Sequence, residues 1–311
     1  MALLIAIIAG SLIPFQTAIN SRLREYVISP FLSSLISFAI GTVFLTIVIL
    51  VSGGHIGLTS VQISQTPWWA YLGGLLGMIG LTTNILLFPI LGSVQTVIMP
   101  ILGQVLMSML IDNFGWFDTT PHPLSIWRII GVLLLIMGVL TVVALPTYLA
   151  RNQIEKQTNT NKSNRLIWQL TAVIVGSFLA IQSAVNGHLG GLLHAPLQAA
   201  WISFVVGTIL LFIVNILQRS FKHLPNLGRQ KLPWWIWLGG LLGALYISSN
   251  AFFVPIIGTG TVVVLALFGQ IIGSLNIDQF GLLGAIKNRI TPLKLLGLVL
   301  MLIGVILIEL L

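Results

Sequence analysis

A chain of 311 residues that is 57% hydrophobic and 6% charged, with mean hydropathy +1.05, cannot cover a water-facing exterior; soluble domains carry about 25% charged residues. Composition therefore makes it an integral membrane protein, and the absence of cysteine excludes disulfides, zinc–thiolate sites and thiol catalysis. A net charge of +8 would suit nucleic acid, but the basic residues lie in short loops between apolar runs, where they report topology. No nucleic-acid partner is expected.

The first apolar run, about 2–20, has no basic segment ahead of it and recurs mid-chain, so it reads as a retained span rather than a signal peptide. A helix needs roughly 20 mostly apolar residues to cross the hydrocarbon core. Five runs in the first half qualify, at about 2–20, 31–52, 67–88, 93–112 and 126–147. Five more follow at about 168–186, 197–217, 233–254, 260–277 and 292–310. Between the two sets lies the polar stretch YLARNQIEKQTNTNKSNR, Tyr148 to Arg165, the one evident linker.

The two sets repeat. A single ungapped shift of 166 carries Gln16 onto Gln182, Asn20 onto Asn186, Pro30 onto Pro196 and Asn84 onto Asn250. It also carries Pro89 onto Pro255, Gln104 onto Gln270, Ser108 onto Ser274 and Asp112 onto Asp278, together with two PWW and two GGLLG strings. Roughly 45 of about 145 aligned pairs are identical, far beyond chance at so long a period. Five spans per copy is an odd number, so the second copy must enter the membrane inverted. The charges agree: with loops assigned alternately to two faces, every Lys and Arg except Arg128 falls on one face, which should be cytoplasmic. Both termini should then lie outside and the linker inside. The expected architecture is an all-α membrane protein of ten transmembrane helices. Residues 1–147 form one five-helix repeat, 148–165 a cytoplasmic linker and 166–311 the inverted repeat.

The string GSLIPFQTAINSRL, Gly10 to Leu23, resembles the first-helix signature of the YdcZ-like family of bacterial inner-membrane proteins, within the drug/metabolite transporter superfamily. The resemblance covers essentially the whole chain and implies a fused antiparallel pair of five-helix modules in the inner membrane, acting as an exporter. The second copy departs from the signature at Ala180, where the first has Pro14. The family supplies no catalytic residues to carry over. Small multidrug exporters of the same superfamily couple to protons through a first-helix glutamate, and here Gln16 and Gln182 stand in the first helices instead.

The repeated polar residues are the candidate site, because inverted repeats hold their substrates near the midplane between the halves. Gln16 and Asn20, and their copies Gln182 and Asn186, each share one helical face at i, i+4. Gln104, Ser108 and Asp112 form a longer stripe at i, i+4, i+8, repeated as Gln270, Ser274 and Asp278. All the amides and serines are candidates for lining a cavity, with hydrogen bonding between helices as the competing role. Asp112 and Asp278 are candidates for ion coupling or, alternatively, solvated boundary residues. Asn84 and Asn250 are candidate partners for the carbonyls that Pro89 and Pro255 release. The GxxxG pairs Gly73/Gly77 and Gly239/Gly243 read as packing. His55, His122, His188, His194 and His223 lack metal-ligand spacing, so no metal or cofactor is expected.

These residues predict a secondary transporter that moves a small polar or zwitterionic solute by alternating access, with no enzymatic function. A pore-type channel and a non-transporting scaffold are the alternatives. The expected partners are the lipid bilayer and the solute, and a homodimer is left open.

Overall fold

The protein was analysed as a computed structural model that describes residues 2–119, 121, 123–151, 160–229, 231–257 and 259–310. The side chains of residues 2, 60–61, 65, 144–151, 160–164, 226, 229, 250–252, 254–257, 259–261 and 309–310 fall outside that description. Among the described residues the secondary structure is entirely helix and turn. The helices are α1 (Ala2–Val27), α2 (Pro30–Val51), α3 (Ser60–Gln65), α4 (Gly73–Phe114), α5 (Ile126–Arg151), α6 (Thr160–Leu193), α7 (Pro196–Leu217), α8 (Pro225–Arg229), α9 (Leu238–Ile257), α10 (Thr259–Phe280) and α11 (Pro292–Leu310). Seven apolar segments among the described residues are long enough to cross a membrane. Large apolar side chains such as Leu4, Val43, Leu133 and Ile209 are exposed on the outside of the bundle, as lipid contact requires.

Several helices outrun the apolar runs. α1 continues through Arg22 and Arg24 to Val27, because no Gly or Pro intervenes to stop it. The polar stretch 148–165, expected to be a linker, is helical at both ends: α5 runs to Arg151 and α6 begins at Thr160. Residues 152–159 lie outside the described residues. α2 begins where Pro30 fixes the backbone and Ser29 Oγ accepts from the Leu32 N–H at 3.2 Å.

The segment Trp68–Phe114 is 47 residues long, which would reach about 70 Å as one straight helix, more than twice the hydrocarbon core. It is not straight. Gly92, at φ 79 and ψ 171, breaks α4 into arms of residues 73–91 and 93–114. That conformation is open to glycine and nearly closed to other residues. One shift of 166 later, α9 ends at Ile257 and α10 begins at Thr259.

Packing is close and recurs at the same shift. α1 lies against α9 and α10, and α6 lies against both arms of α4. α2 pairs with α7, and α5 with α11. The Phe38 and Phe204 rings meet at 5.0 Å between centroids, and the Thr42 and Thr208 hydroxyls at 3.1 Å. Gly131 backs onto the Gly304 carbonyl and Gly138 onto that of Gly297. Gly103 backs onto the carbonyl of Val173, and Gly269 onto that of Ile7. Approach this close is how apolar helices gain contact energy in lipid, where no hydrophobic force drives them together.

Gly103→Ala should lower stability by about 1–3 kcal/mol, because its methyl meets backbone rather than a flexible side chain. Gly187→Ala, with open space at its Cβ position, should be neutral or stabilising by up to ~1 kcal/mol. Chemical denaturation of the two variants in mixed micelles checks the contrast.

Candidate functional site

The stripe Gln104, Ser108 and Asp112 sits on the second arm of α4, one turn apart at each step. It lines a cavity of about 220 Å³ between that arm, α6 and α10. Ala180, Ser183 and Ala184 form the α6 wall, and Val263 and Leu267 the α10 wall. Asp112 is 30% exposed, and Arg128 Nη1 approaches its Oδ2 to 3.9 Å. Near the cavity Asp118 approaches His188 to 3.6 Å, and the Trp69 ring packs against that of His188 with centroids 4.8 Å apart and planes tilted by 35°.

The copied stripe has a different setting. Ser274 is fully buried and donates to the Ile271 carbonyl at 2.8 Å. Asp278 is 2% exposed, so it is not the solvated boundary residue that its place at a span end suggested. Its Oδ1 accepts the Ser93 N–H at 3.0 Å, and its Oδ2 faces the Val94 N–H at 3.4 Å. Those amides open the second arm of α4, where N–H groups have no intrahelical partner and the helix dipole favours an anion. Ala18, Phe88 and Ile277 close over this end, with Phe15 and Leu283 packed against them. The shift of 166 relates Ala18 to Ala184 and Ile111 to Ile277. Ala18 and Ile277 are buried in the seal, while Ala184 and Ile111 line the cavity.

The proline partner also differs from expectation. Pro89 has no N–H for the Ile85 carbonyl four residues earlier. Arg24 Nη1 donates to that carbonyl at 3.4 Å, from the helical extension of α1. Asn84 does not serve it, and its Oδ1 has no hydrogen-bond partner. The side chain of Asn250 lies outside the described residues. Arg24 reads from sequence as a topology charge, and only the register of Pro89 with Ile85 hinted that a donor was needed.

The amide pairs do not reach the cavity. Gln16 and Asn20 are buried, and they pack on Gly243 and Gly239 of α9. Gln182 and Asn186 pack in the same way on Gly77 and Gly73 of α4. Asn20 Nδ2 donates to Ser37 Oγ at 3.0 Å. The Oδ1 atoms of Asn20 and Asn186 have no conventional donor. Each occupies the direction in which a glycine Cβ would project, so it meets the glycine Cα–H in a weak hydrogen bond. Gln270 is half-buried on α10. Among the described residues no group of three His, Asp or Glu could hold a metal, and His122 lies outside the description.

Described residues that are all helix and turn, with apolar side chains on the exterior and a cavity that presents several polar side chains between the helices, define a polytopic membrane protein. The profile of the family described as "Putative inner membrane exporter, YdcZ" matches residues 1–141 and again 167–307, and the chain belongs to that family. Membership makes it a membrane protein of an exporter family, in keeping with its apolar helices. A search of curated proteins finds no match. A solved structure described only as "Crystal structure of protein" is similar over 97% of this chain and 96% of its own, with TM-score 0.54 at 15% identity. That likeness speaks to the fold alone.

A double-mutant cycle tests the amide–glycine interlock. Gly239→Ala should be destabilising alone, and less so by about 0.5–3 kcal/mol when combined with Asn20→Ala, because the overlap with Oδ1 is then removed. Equal costs in both backgrounds, read from denaturation midpoints, would mean that the two residues do not interact.

Proposed function

We propose that the chain is a secondary transporter of ten membrane helices in two inverted five-helix halves, which exports a small polar or zwitterionic solute by alternating access. The spans are α1, α2, the two arms of α4, α5, α6, α7, α9, α10 and α11. Residues 1–147 and 166–311 form the halves, and the basic face is cytoplasmic. The observation that carries this reading is the difference between the two polar stripes. Gln104, Ser108 and Asp112 line a cavity, while Ser274 and Asp278 are sealed. Repeated modules in unequal states are what a carrier open to one side requires. A channel needs a continuous path, and the sealed stripe argues against one.

The solute contacts are Gln104, Ser108 and Asp112, with Gln270 facing them from α10 in the opposite state. Asp112, 30% exposed and in the cavity wall, supplies an anionic group for the cationic end of a zwitterion. The volume of about 220 Å³ lies below the roughly 300–1,000 Å³ of drug-sized pockets, which favours a small solute. Gln16, Asn20, Gln182 and Asn186 hold helices together rather than binding solute.

Counterflow in proteoliposomes, screened across amino acids and other small zwitterions, tests the reading. Gln104→Ala/Ser108→Ala should cut exchange at least about tenfold, the loss of two hydrogen bonds near 1 kcal/mol each. Uptake without counterflow, or conductance far above carrier turnover, would sink the carrier. Reporter fusions in the 152–159 segment should read cytoplasmic, and an external reading would reverse the topology.

A further inference from the structure

The loop between α10 and α11, residues 281–291, has a counterpart one shift of 166 earlier, between α4 and α5. The two share a built shape. Gly115 and Gly281 end their helices at φ 64, and Phe117 and Leu283 follow in the same left-handed region at φ 60 and 56. Asn113 Oδ1 accepts the Leu124 N–H at 3.2 Å, and one shift later Gln279 Oε1 accepts the Ile290 N–H at 2.9 Å. The second loop is pinned further. The Asn288 N–H donates to the Asp278 carbonyl at 2.7 Å, and Lys294 Nζ donates to Asn288 Oδ1 at 2.8 Å and to the Arg289 carbonyl at 3.3 Å. What the loops present is different. Residues 286–290 read IKNRI, and the matching 120–124 read TPHPL. Lys287 and Arg289 thus stand where the first copy has Pro121 and Pro123, and both are exposed. Ile286 beside them is 79% exposed, and Phe280 at the end of α10 is 64% exposed. Arg22 of α1 packs on Gly284 of the same loop, with Glu25 as its ion-pair partner.

Exposed apolar side chains interleaved with cations suit neither water nor hydrocarbon alone. They suit the boundary between the two, where acyl chains meet phosphates. A charge that serves only topology needs no fixed loop. We propose that residues 285–291 are a preformed site for the headgroup of an anionic phospholipid. Lys287 and Arg289 hold its phosphate, the arginine through its planar fork and the lysine as a point charge. Ile286 and Phe280 rest against the first carbons of the acyl chains. Lys294 and Gln279 are positioning residues, because they fix the backbone that carries Arg289 and Ile290. The partner is a lipid rather than a free anion because the two cations come with exposed apolar side chains beside them. The matching loop of the first half, with prolines in place of both cations, is not such a site. The inference is independent of the solute and of the transport reading.

The natural chain has no cysteine, so a donor dye on Leu282→Cys reports this loop alone. The full-length protein is placed in phosphatidylcholine nanodiscs that hold a minor share of acceptor-tailed phosphatidylglycerol or of acceptor-tailed phosphatidylcholine. Energy transfer gives the preference for one over the other. The parent should prefer phosphatidylglycerol, and the preference should fall as salt rises. Lys287→Gln/Arg289→Gln should reduce it about 25-fold, fivefold for each basic residue at a charged surface. Lys287→Gln alone should reduce it about fivefold, and it carries the test should the double variant fail to fold. Gln279→Ala, which keeps both cations but removes the acceptor for the Ile290 N–H, should reduce it about threefold. Lys222→Gln, at an exposed lysine after α7, should leave it unchanged. A parent without preference, or loop variants that keep it, overturn the proposal. So does a loss in Lys222→Gln as large as that in the loop variants, which is diffuse attraction to the basic face. An unchanged Gln279→Ala would remove the preformed loop. Inorganic phosphate, compared with chloride at equal ionic strength, should not displace the lipid. Displacement by phosphate would mean a free-anion site and overturn the lipid assignment.

Discussion

A helix interrupted inside a packed bundle creates a debt at two points: carbonyls on one side of the break and N–H groups on the other, both buried away from water here. The arrangement around Gly92 follows from that constraint. Pro89 and Gly92 together release the Ile85 carbonyl and the amides of Ser93 and Val94, and the fold answers with a guanidinium and a carboxylate. Neither group would be stable alone in an apolar interior, because an unpaired buried charge is costly. Each is tolerable because it meets a helix end of complementary sign. The break also lets two arms of ordinary membrane length replace one helix of impossible length, and it sets the second arm, with its polar stripe, at an angle the first cannot dictate.

The rest of the bundle is built to hold its shape around that point. Glycines on α4, α9, α5 and α11 bring backbones into contact, and the amides of α1 and α6 fit against the glycine faces of α9 and α4. The partners lie in opposite halves: the Gln16–Asn20 face meets the Gly239–Gly243 face, and Gln182–Asn186 meets Gly73–Gly77. Such contacts are short and have little tolerance for sliding, so helices joined by them move together. α1 with α9 and α10, and α6 with the arms of α4, are thus natural rigid groups, and the Arg24 and Asp278 contacts at the break join one group to the other.

Much of this was legible in the sequence, because period and polarity encode it directly. The apolar runs, the repeat and the Gln104–Ser108–Asp112 stripe follow from composition and helical spacing. What the sequence could not reveal falls into two kinds. The glycine face that receives Gln16 is identical in both copies, so only the fold decides that the partner is Gly243 rather than Gly77. The unequal exposure of Asp112 and Asp278 is likewise invisible, since matched strings cannot encode which copy is open. Arg24 was hidden for a third reason. Basic residues beside a span signal topology so strongly that a second, structural use is masked, and the extension of α1 that delivers it depends on the absence of a helix stop.

That double use has a consequence for any protein made by inverting a duplicate. Under the proposed orientation the loop after α1 faces the cytoplasm, where arginine is favoured, and the equivalent loop after α6 faces outward, where it is not. Sequence matched across the repeat can therefore keep its amides, glycines and aspartates but not its arginines. Arg22 and Arg24 correspond to His188 and Gly190. Because Arg24 also satisfies the carbonyl released by Pro89, the topological rule removes one half of a structural contact from one face only.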